Sequence, residues 1–383
     1  MDTISHKIHD TVDALRGHHE RPGLKKGDWV LLTGASGFVA GHILNELLEA
    51  GYKVKCTVRD SQKFDTIRNL RPLYRNALDY AIVPDVASEG AFNEAVQGVK
   101  AVVHTASPFI MVDNADMKKT LLEPAIEGTL SMLRSISQHG PGVKRVVITS
   151  SFASIVDLSK GLRPGHTYSE KDWNPVTYEE ALHSTNGSFA YCSSKALAEK
   201  ATWSYVREHK PHFSLKTICP PMVYGPIEPH MRLDSLNTST ADIYRLINGS
   251  EKKVPETQFY AWVDVRDVAT AHVRALGAPA KPHTEEDRYF VTAGNYTYAD
   301  ICQVISKRFP HLVNSGMTPN PAGVPAAPPH YSVNNSKSVS ELGLSYRSLE
   351  TCMVDTVHSL LKLEAASSEK TEKPPGLCEE RRQ

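Results

Sequence analysis

Trp29-Val30-Leu31-Leu32-Thr33-Gly34-Ala35-Ser36-Gly37-Phe38-Val39-Ala40-Gly41 reads as an apolar strand running straight into a glycine turn. Behind it, apolar residues recur at helical spacing from about Gly37 to Ala50, and Gly51 ends the run. A strand, a tight turn and a helix in that order bring backbone N–H groups to the helix start, where a pyrophosphate can sit. Gly34 and Gly37 suit the turn, and Ala40 holds the third motif position, where only a small side chain packs. Ser36, Phe38 and Val39 are candidate contacts beside the two glycines. A glycine turn alone is weak evidence; its place between strand and helix is the context the motif requires.

Outward from this unit the alternation continues. Lys53–Val58, Tyr80–Val83, Ala101–His104, Arg145–Thr149 and Leu215–Cys219 read as strands, with a long helix between the fourth and fifth from about Met117 to His139. Strands alternating with helices imply an α/β fold, a doubly wound parallel sheet of Rossmann type. After Pro220, Pro221, Gly225, Pro226 and Pro229 break the pattern, and a smaller, mostly C-terminal substrate lobe is expected. The division is an N-terminal extension over residues 1–27, a dinucleotide-binding domain over 28–225, a lobe over 226–363 that returns in places to the main sheet, and a disordered tail over 364–383. Ile4, Ile8, Val12 and Leu15 stand at helical spacing, which fits a short docking helix as well as a loose extension.

The 383 residues can bury a large core. Lys plus Arg equals Asp plus Glu, 43 against 43, so no net field favours nucleic acid or an anionic membrane. No apolar run is long enough to span a bilayer, and the first 28 residues hold no apolar signal core, so the cytoplasm is expected. Six cysteines without a Cys-x-x-Cys pair read as reduced thiols, and no His, Cys and carboxylate cluster stands at metal-ligand spacing. No metal is expected.

The end of the second strand bears on the cofactor. An acid there binds a ribose 2′-hydroxyl, whereas an arginine accommodates a 2′-phosphate. Val58-Arg59-Asp60 is followed by Lys63; Arg59 leaves the strand first and favours NADP(H), while Asp60 keeps NAD open. Asp85 and Val86, just after the third strand, are placed to meet the adenine.

A second signal lies downstream in Tyr191-Cys192-Ser193-Ser194-Lys195. Residues four apart share a helix face, so a phenol and an ammonium stand side by side. A free tyrosine has a pKa of about 10, and a neighbouring ammonium is expected to lower it towards useful proton transfer. Alone, Tyr-x-x-x-Lys occurs often by chance as an exposed helix pair; with the upstream glycine turn it gains weight.

Together with Thr149-Ser150-Ser151 and Pro220–Pro226, these motifs resemble an extended short-chain dehydrogenase/reductase. Thr167–Pro175, Leu236–Ser239 and Trp262–Ala269 narrow the resemblance to the dihydroflavonol-reductase-like branch, nearest to fungal aldehyde and ketone reductases of the methylglyoxal reductase and carbonyl reductase type. It spans about residues 28–363. The resemblance implies Ser151, Tyr191 and Lys195 as the catalytic set, with Ser151 preferred to Ser150. It places Thr105, Ala106, Ser107 and Pro108, with Thr149, Pro220, Met222 and Val223, along the cofactor. His104 falls in the same run and reads as a satisfied core histidine.

The implied reaction is NADPH-dependent reduction of a small-molecule carbonyl, in which Ser151 and Tyr191 hydrogen-bond the carbonyl oxygen. Tyr191 gives up a proton, and Lys195 holds the nicotinamide ribose. Phe109, Phe152, Phe189, Met222 and Tyr224 flank these motifs as a candidate apolar wall, each about as readily a core residue. Oxidation by an alcohol or 3β-hydroxysteroid-type dehydrogenase, and a non-catalytic cofactor sensor, remain alternatives. The branch contains monomers and homodimers.

Overall fold

The computed structural model describes residues 24–107, 118–281 and 283–372, with side chains as far as residue 367. Apolar runs form the strands. β1 (Trp29–Thr33), β2 (Lys53–Val58) and β3 (Leu78–Ile82) are joined through α1 (Phe38–Glu49) and α2 (Ser61–Asn69). β4 (Ala101–His104) leads through a π-helical turn at Lys118–Leu122 into α3 (Glu123–His139) and β5 (Arg145–Thr149). Then come β6 (Thr167–Tyr168), α4 (Tyr178–Leu182), α5 (Gly187–His209) and β7 (Ser214–Cys219).

The remaining chain forms β8 (Met222–Tyr224), α6 (Thr238–Arg245), β9 (Ala261–Asp264), α7 (Val265–Gly277), β10 (Arg288–Phe290) and β11 (Gly294–Asn295). It closes with α8 (Tyr298–Arg308), α9 (Pro310–Asn314), β12 (Ser332–Val333), α10 (Ser336–Leu342) and α11 (Leu349–Glu372).

Seven parallel strands make the main sheet, in the order β10-β7-β5-β4-β1-β2-β3. Val30, Leu31, Leu32, Val102 and Val103 are fully buried because helices cover both faces. One core joins α1 and α7 to the sheet through Ile43, Leu44, Leu47, Val268 and Ala271; the other uses Met132, Leu133 and Ile136 of α3 with Trp203 and Val206 of α5. Each buried Val, Leu, Ile or Met among them contributes about 1.5–3 kcal/mol by leaving water. The chain winds outward from β1 to β3 and then returns to β4 beside β1, with Thr33 opposite His104. That reversal opens a crevice at the carboxyl ends of the strands.

A small sheet in the order β11-β9-β8 carries a third core, built from Tyr224, Trp262, Tyr296, Ile301, Met353 and Leu360 among others. Several expectations change here. The third strand starts at Leu78 instead of Tyr80, because the pairing Val54↔Leu78 extends it. The seventh strand, β10, comes from a stretch too short and too polar, around Arg288, to be read as a strand. The expected tail is helical as far as Glu372: Cys352, Met353, Val357 and Leu360 anchor α11, and Ala, Glu and Lys are good helix formers that carry it on. Ile4, Ile8, Val12 and Leu15 lie outside the described residues, as does the rest of the tail.

Among the described residues no helix is long and apolar enough to cross a membrane, and five cysteines are free and buried.

Candidate active site

The glycine turn is fitted to its neighbours with little room to spare. Gly34 has φ +67°, and a Cβ on it would lie 3.2 Å from the Ala106 Cα. Gly37 caps α1 with no side-chain hydrogen bond, so the cap itself leaves the first helical N–H groups unsatisfied, as a pyrophosphate-binding helix start requires. Thr57 Oγ1 accepts from the Gly34 N–H at 3.1 Å and ties the turn to β2. Phe38 is buried, whereas Ser36 and Val39 are half-buried at the turn. The Thr33 hydroxyl accepts from the N–H groups of Thr105 and Ala106, each at 3.0 Å, so the loop after β4 is pinned alongside, with Ser107 next to it. A segment from Pro226 to His230 crosses α1. Pro226 O meets His42 Nε2 at 2.8 Å, Glu228 pairs with Arg71 at 2.8 Å, and the Ser36 carbonyl meets His230 Nε2 at 3.2 Å. A close-fitting glycine cradle with open helix N–H groups fits a dinucleotide.

At the end of β2 the two candidate residues separate. Asp60 is the N-cap of α2, its carboxylate accepting from the Lys63 N–H at 2.9 Å. Arg59 and the Lys63 side chain are exposed beside it. The acid is thus engaged by its own helix, while the two cations stand exposed. Asp85 is likewise engaged, accepting from the Ala87 N–H and the Ser88 hydroxyl, each at 2.9 Å. Val86 packs towards Gly128 of α3.

Tyr191, Lys195 and Glu199 stand four apart along α5, facing the ends of β4 and β5. Ser151 directly follows β5; its Oγ accepts from the Ala153 N–H at 3.1 Å, and its hydroxyl is hydrogen-bonded to the Tyr191 phenol. The Lys195 Nζ lies 6.0 Å from the Tyr191 ring centre. Burial pushes the phenol well above its ordinary value, the neighbouring Cys192 adds to the rise, and only the Ser151 hydrogen bond opposes it. The expected lowering by Lys195 is therefore corrected: the ammonium sits over the ring, and removal from water dominates. Burial also lowers Lys195 itself, to about 8.

Ser150 differs from Ser151. It is buried and donates to Glu199, which also accepts from Ser154, from Thr217 at 2.7 Å, from Trp203 Nε1 at 3.3 Å and from Arg288 Nε at 2.8 Å. Burial alone would raise the Glu199 carboxyl; Arg288 and the hydroxyls outweigh it and hold the group down at about 2. Arg288 lies over the Trp173 ring at 3.5 Å and donates to the carbonyls of Glu170 and Asp172. Sequence reading missed both partners. The signal for Glu199 was present, an acid one further turn along the Tyr191–Lys195 face; Arg288, 89 positions away, gave none.

Other candidates fall elsewhere. Phe152 is 2% exposed and stacks on Phe290 at 5.0 Å, with Tyr168 and Tyr331 around it. Tyr224 is 1% exposed and bonded to the Tyr296 hydroxyl at 2.7 Å. Both are core residues and not pocket wall, because the chain turns them into aromatic clusters beneath the site. Phe189 and Met222 stay half-buried, and Val223 pairs with Val263. Phe109 and Pro108 lie outside the described residues. The Thr149 hydroxyl meets His272 Nε2 of α7 at 2.7 Å. The Pro220 carbonyl accepts from the Phe152 N–H at 2.8 Å. His104 is buried but only half satisfied, since Nδ1 meets Thr33 and Nε2 has no partner among the described residues.

A glycine cradle at the strand reversal, beside a serine, tyrosine and lysine grouping, defines a class of dinucleotide-binding protein. The chain belongs to the NAD dependent epimerase/dehydratase family, whose model matches residues 30–289, and within it to the dihydroflavonol-reductase-like, extended short-chain dehydrogenase/reductase branch. It is similar to an uncharacterized oxidoreductase of Schizosaccharomyces pombe, 43% identical over 87% of this chain and 97% of the relative. It is also similar to the ketoreductase azaE of Aspergillus niger, 41% identical over 87% of this chain and 97% of the relative. Among solved structures it resembles yeast methylglyoxal/isovaleraldehyde reductase Gre2 complexed with NADPH, at 32% identity and a TM-score of 0.79, covering 88% of this chain and 99% of that one.

Proposed function

We propose that this protein is an NADPH-dependent reductase that converts an aldehyde or ketone to an alcohol. One observation carries the assignment of roles: the Ser151–Tyr191 hydrogen bond stands one helical turn from Lys195, at the strand ends that flank the glycine cradle. The similar proteins named above as a ketoreductase and as a methylglyoxal/isovaleraldehyde reductase with NADPH support the same chemistry.

Gly34, Ser36, Gly37 and the first turn of α1 would hold the pyrophosphate, and Arg59 with Lys63 the 2′-phosphate. NADPH supplies the hydride. Ser151 and Tyr191 receive the carbonyl oxygen and stabilise the charge that grows on it. With its pKa raised by burial, Tyr191 holds its proton until an alkoxide forms to take it, the protonation state a general acid needs. Lys195 keeps a positive charge beside the phenol below about pH 8. Phe189 and Met222 line the substrate side, with the β8-β9-β11 sheet and its helices as the substrate lobe. A small carbonyl compound in the cytoplasm is the partner in this reading.

NADPH oxidation by the purified protein against aldehydes, ketones, diketones and keto esters, with NADH in parallel, tests it. Turnover with NADPH is expected. Binding of neither cofactor would remove the proposal.

A further inference from the structure

Beside Lys195, between β4, β5, α3 and α5, lies a small cavity lined by His104, Ser107, Thr129, Lys195, Glu199 and Thr202 among others. Hydrogen-bond accounting fixes what its walls offer. A hydroxyl has one proton and two lone pairs. The two lone pairs of Thr33 Oγ1 are taken by the N–H groups of Thr105 and Ala106, so its proton goes to His104 Nδ1, 3.0 Å away. His104 Nδ1 is therefore an acceptor, and the ring proton sits on Nε2. Burial keeps the ring neutral, with its pKa down at about 3. The Nε2–H group is buried, and no described residue accepts from it.

The same accounting applies to the threonines. His272 Nδ1 faces the Val268 carbonyl at 2.8 Å and must donate, which leaves its Nε2 to accept the Thr149 proton. Thr129 and Thr202 donate to the carbonyls of Ala125 and Ala198. The Thr149 hydroxyl is turned to α7, on the face of the sheet opposite α3 and α5, whereas the Thr129 and Thr202 hydroxyls have their protons committed and lone pairs remaining. Two donors, the His104 Nε2–H and the Lys195 ammonium, thus share a cavity with the Thr129 and Thr202 hydroxyls, which can only accept further, and with the Glu199 carboxylate. A tetrahedral molecule with two lone pairs and two protons satisfies that set, and the space admits about one water.

We propose that a structural water bridges His104 Nε2–H and Lys195, and that His104, through this water, positions the Lys195 ammonium and keeps it charged. The site follows from geometry; its kinetic consequence rests on the reductase reading. Around Lys195 the ionisable groups are His104 from β4, Tyr191 and Glu199 from its own helix, and Arg288 reaching Glu199 from β10. The cavity walls from α3 and β5, Ala125, Thr129, Ile148, Thr149 and Ser150, are uncharged. A water that accepts from the ammonium stabilises its charged form. Without that water, Lys195 loses its proton at lower pH, and the alkaline fall in kcat moves to lower pH.

A high-resolution crystal structure of the full chain and kcat against pH for wild type, His104→Leu and His104→Gln test this. Expected are a water within hydrogen-bond reach of both groups and an alkaline midpoint in His104→Leu below that of wild type. A midpoint lowered by about one unit would cut the rate about fivefold at the pH of the wild-type midpoint. His104→Gln, which keeps an N–H donor, should restore the wild-type profile. A cavity without water, or a folded His104→Leu with an unmoved midpoint, would overturn the proposal. If His104→Leu does not fold, the crystal structure and His104→Gln decide. Should wild type reduce no carbonyl, the reductase reading fails while the crystal structure still decides the water.

Discussion

Two ends of one helix face contrast. At Tyr191 and Lys195 the protein surrounds polar groups with burial and few compensating charges: the phenol is pushed up, the ammonium down, and Lys195 forms no ion pair among the described residues. One turn further on, Glu199 is saturated by three hydroxyls, an indole N–H and a guanidinium. The side chains proposed to exchange protons carry few charged partners, whereas Glu199 behind them is given every partner it can use. Ser150 and Ser151 repeat the contrast within two residues, one locked to the carboxylate and the other turned to the phenol.

The largest effect should come from breaking the reactive end. Tyr191→Phe removes the proton donor, and kcat should fall about 10²–10⁴-fold while NADPH affinity by fluorescence titration and the unfolding midpoint hardly change. A full rate in that variant would take the phenol out of the mechanism. At the saturated end, Glu199→Ala leaves Arg288 buried without its counterion and should cost about 3–5 kcal/mol in denaturant unfolding. Glu199→Gln keeps the volume and should cost less; equal loss in both would show that charge matters there and volume does not. The end of β2 offers the contrast on a smaller scale. Arg59→Ala should weaken NADPH by about 1.5–3 kcal/mol and NADH little, by isothermal titration. The smallest effect belongs to Asp60→Ala, which removes a helix cap and should cost about 1 kcal/mol of stability.

Much of this was readable from the chain because the signals are local. The strand before Gly34, the helix after Gly37 and β2 at Lys53–Val58 follow from apolar runs and turn residues only a few positions apart. Tyr191 and Lys195 share a face by spacing alone. What escaped depends on partners distant in sequence. Phe152 flanks Ser151 in the chain, yet its ring is claimed by Phe290 and Tyr331. Arg288 has no local pattern, and its value appears only when β10 lies next to β7. The tyrosine pKa went astray for a related reason, since adjacency on a helix says nothing about how much water reaches the oxygen.

The late arrival of β10 also bears on biosynthesis. Glu199 and its helix emerge from the ribosome well before Arg288, 89 residues later. Through that interval the nascent chain lacks the guanidinium that balances the buried Glu199 carboxylate in the folded protein. A chain truncated before Arg288 would keep the cofactor cradle's sequence without the ion pair that ties helix α5 to β10.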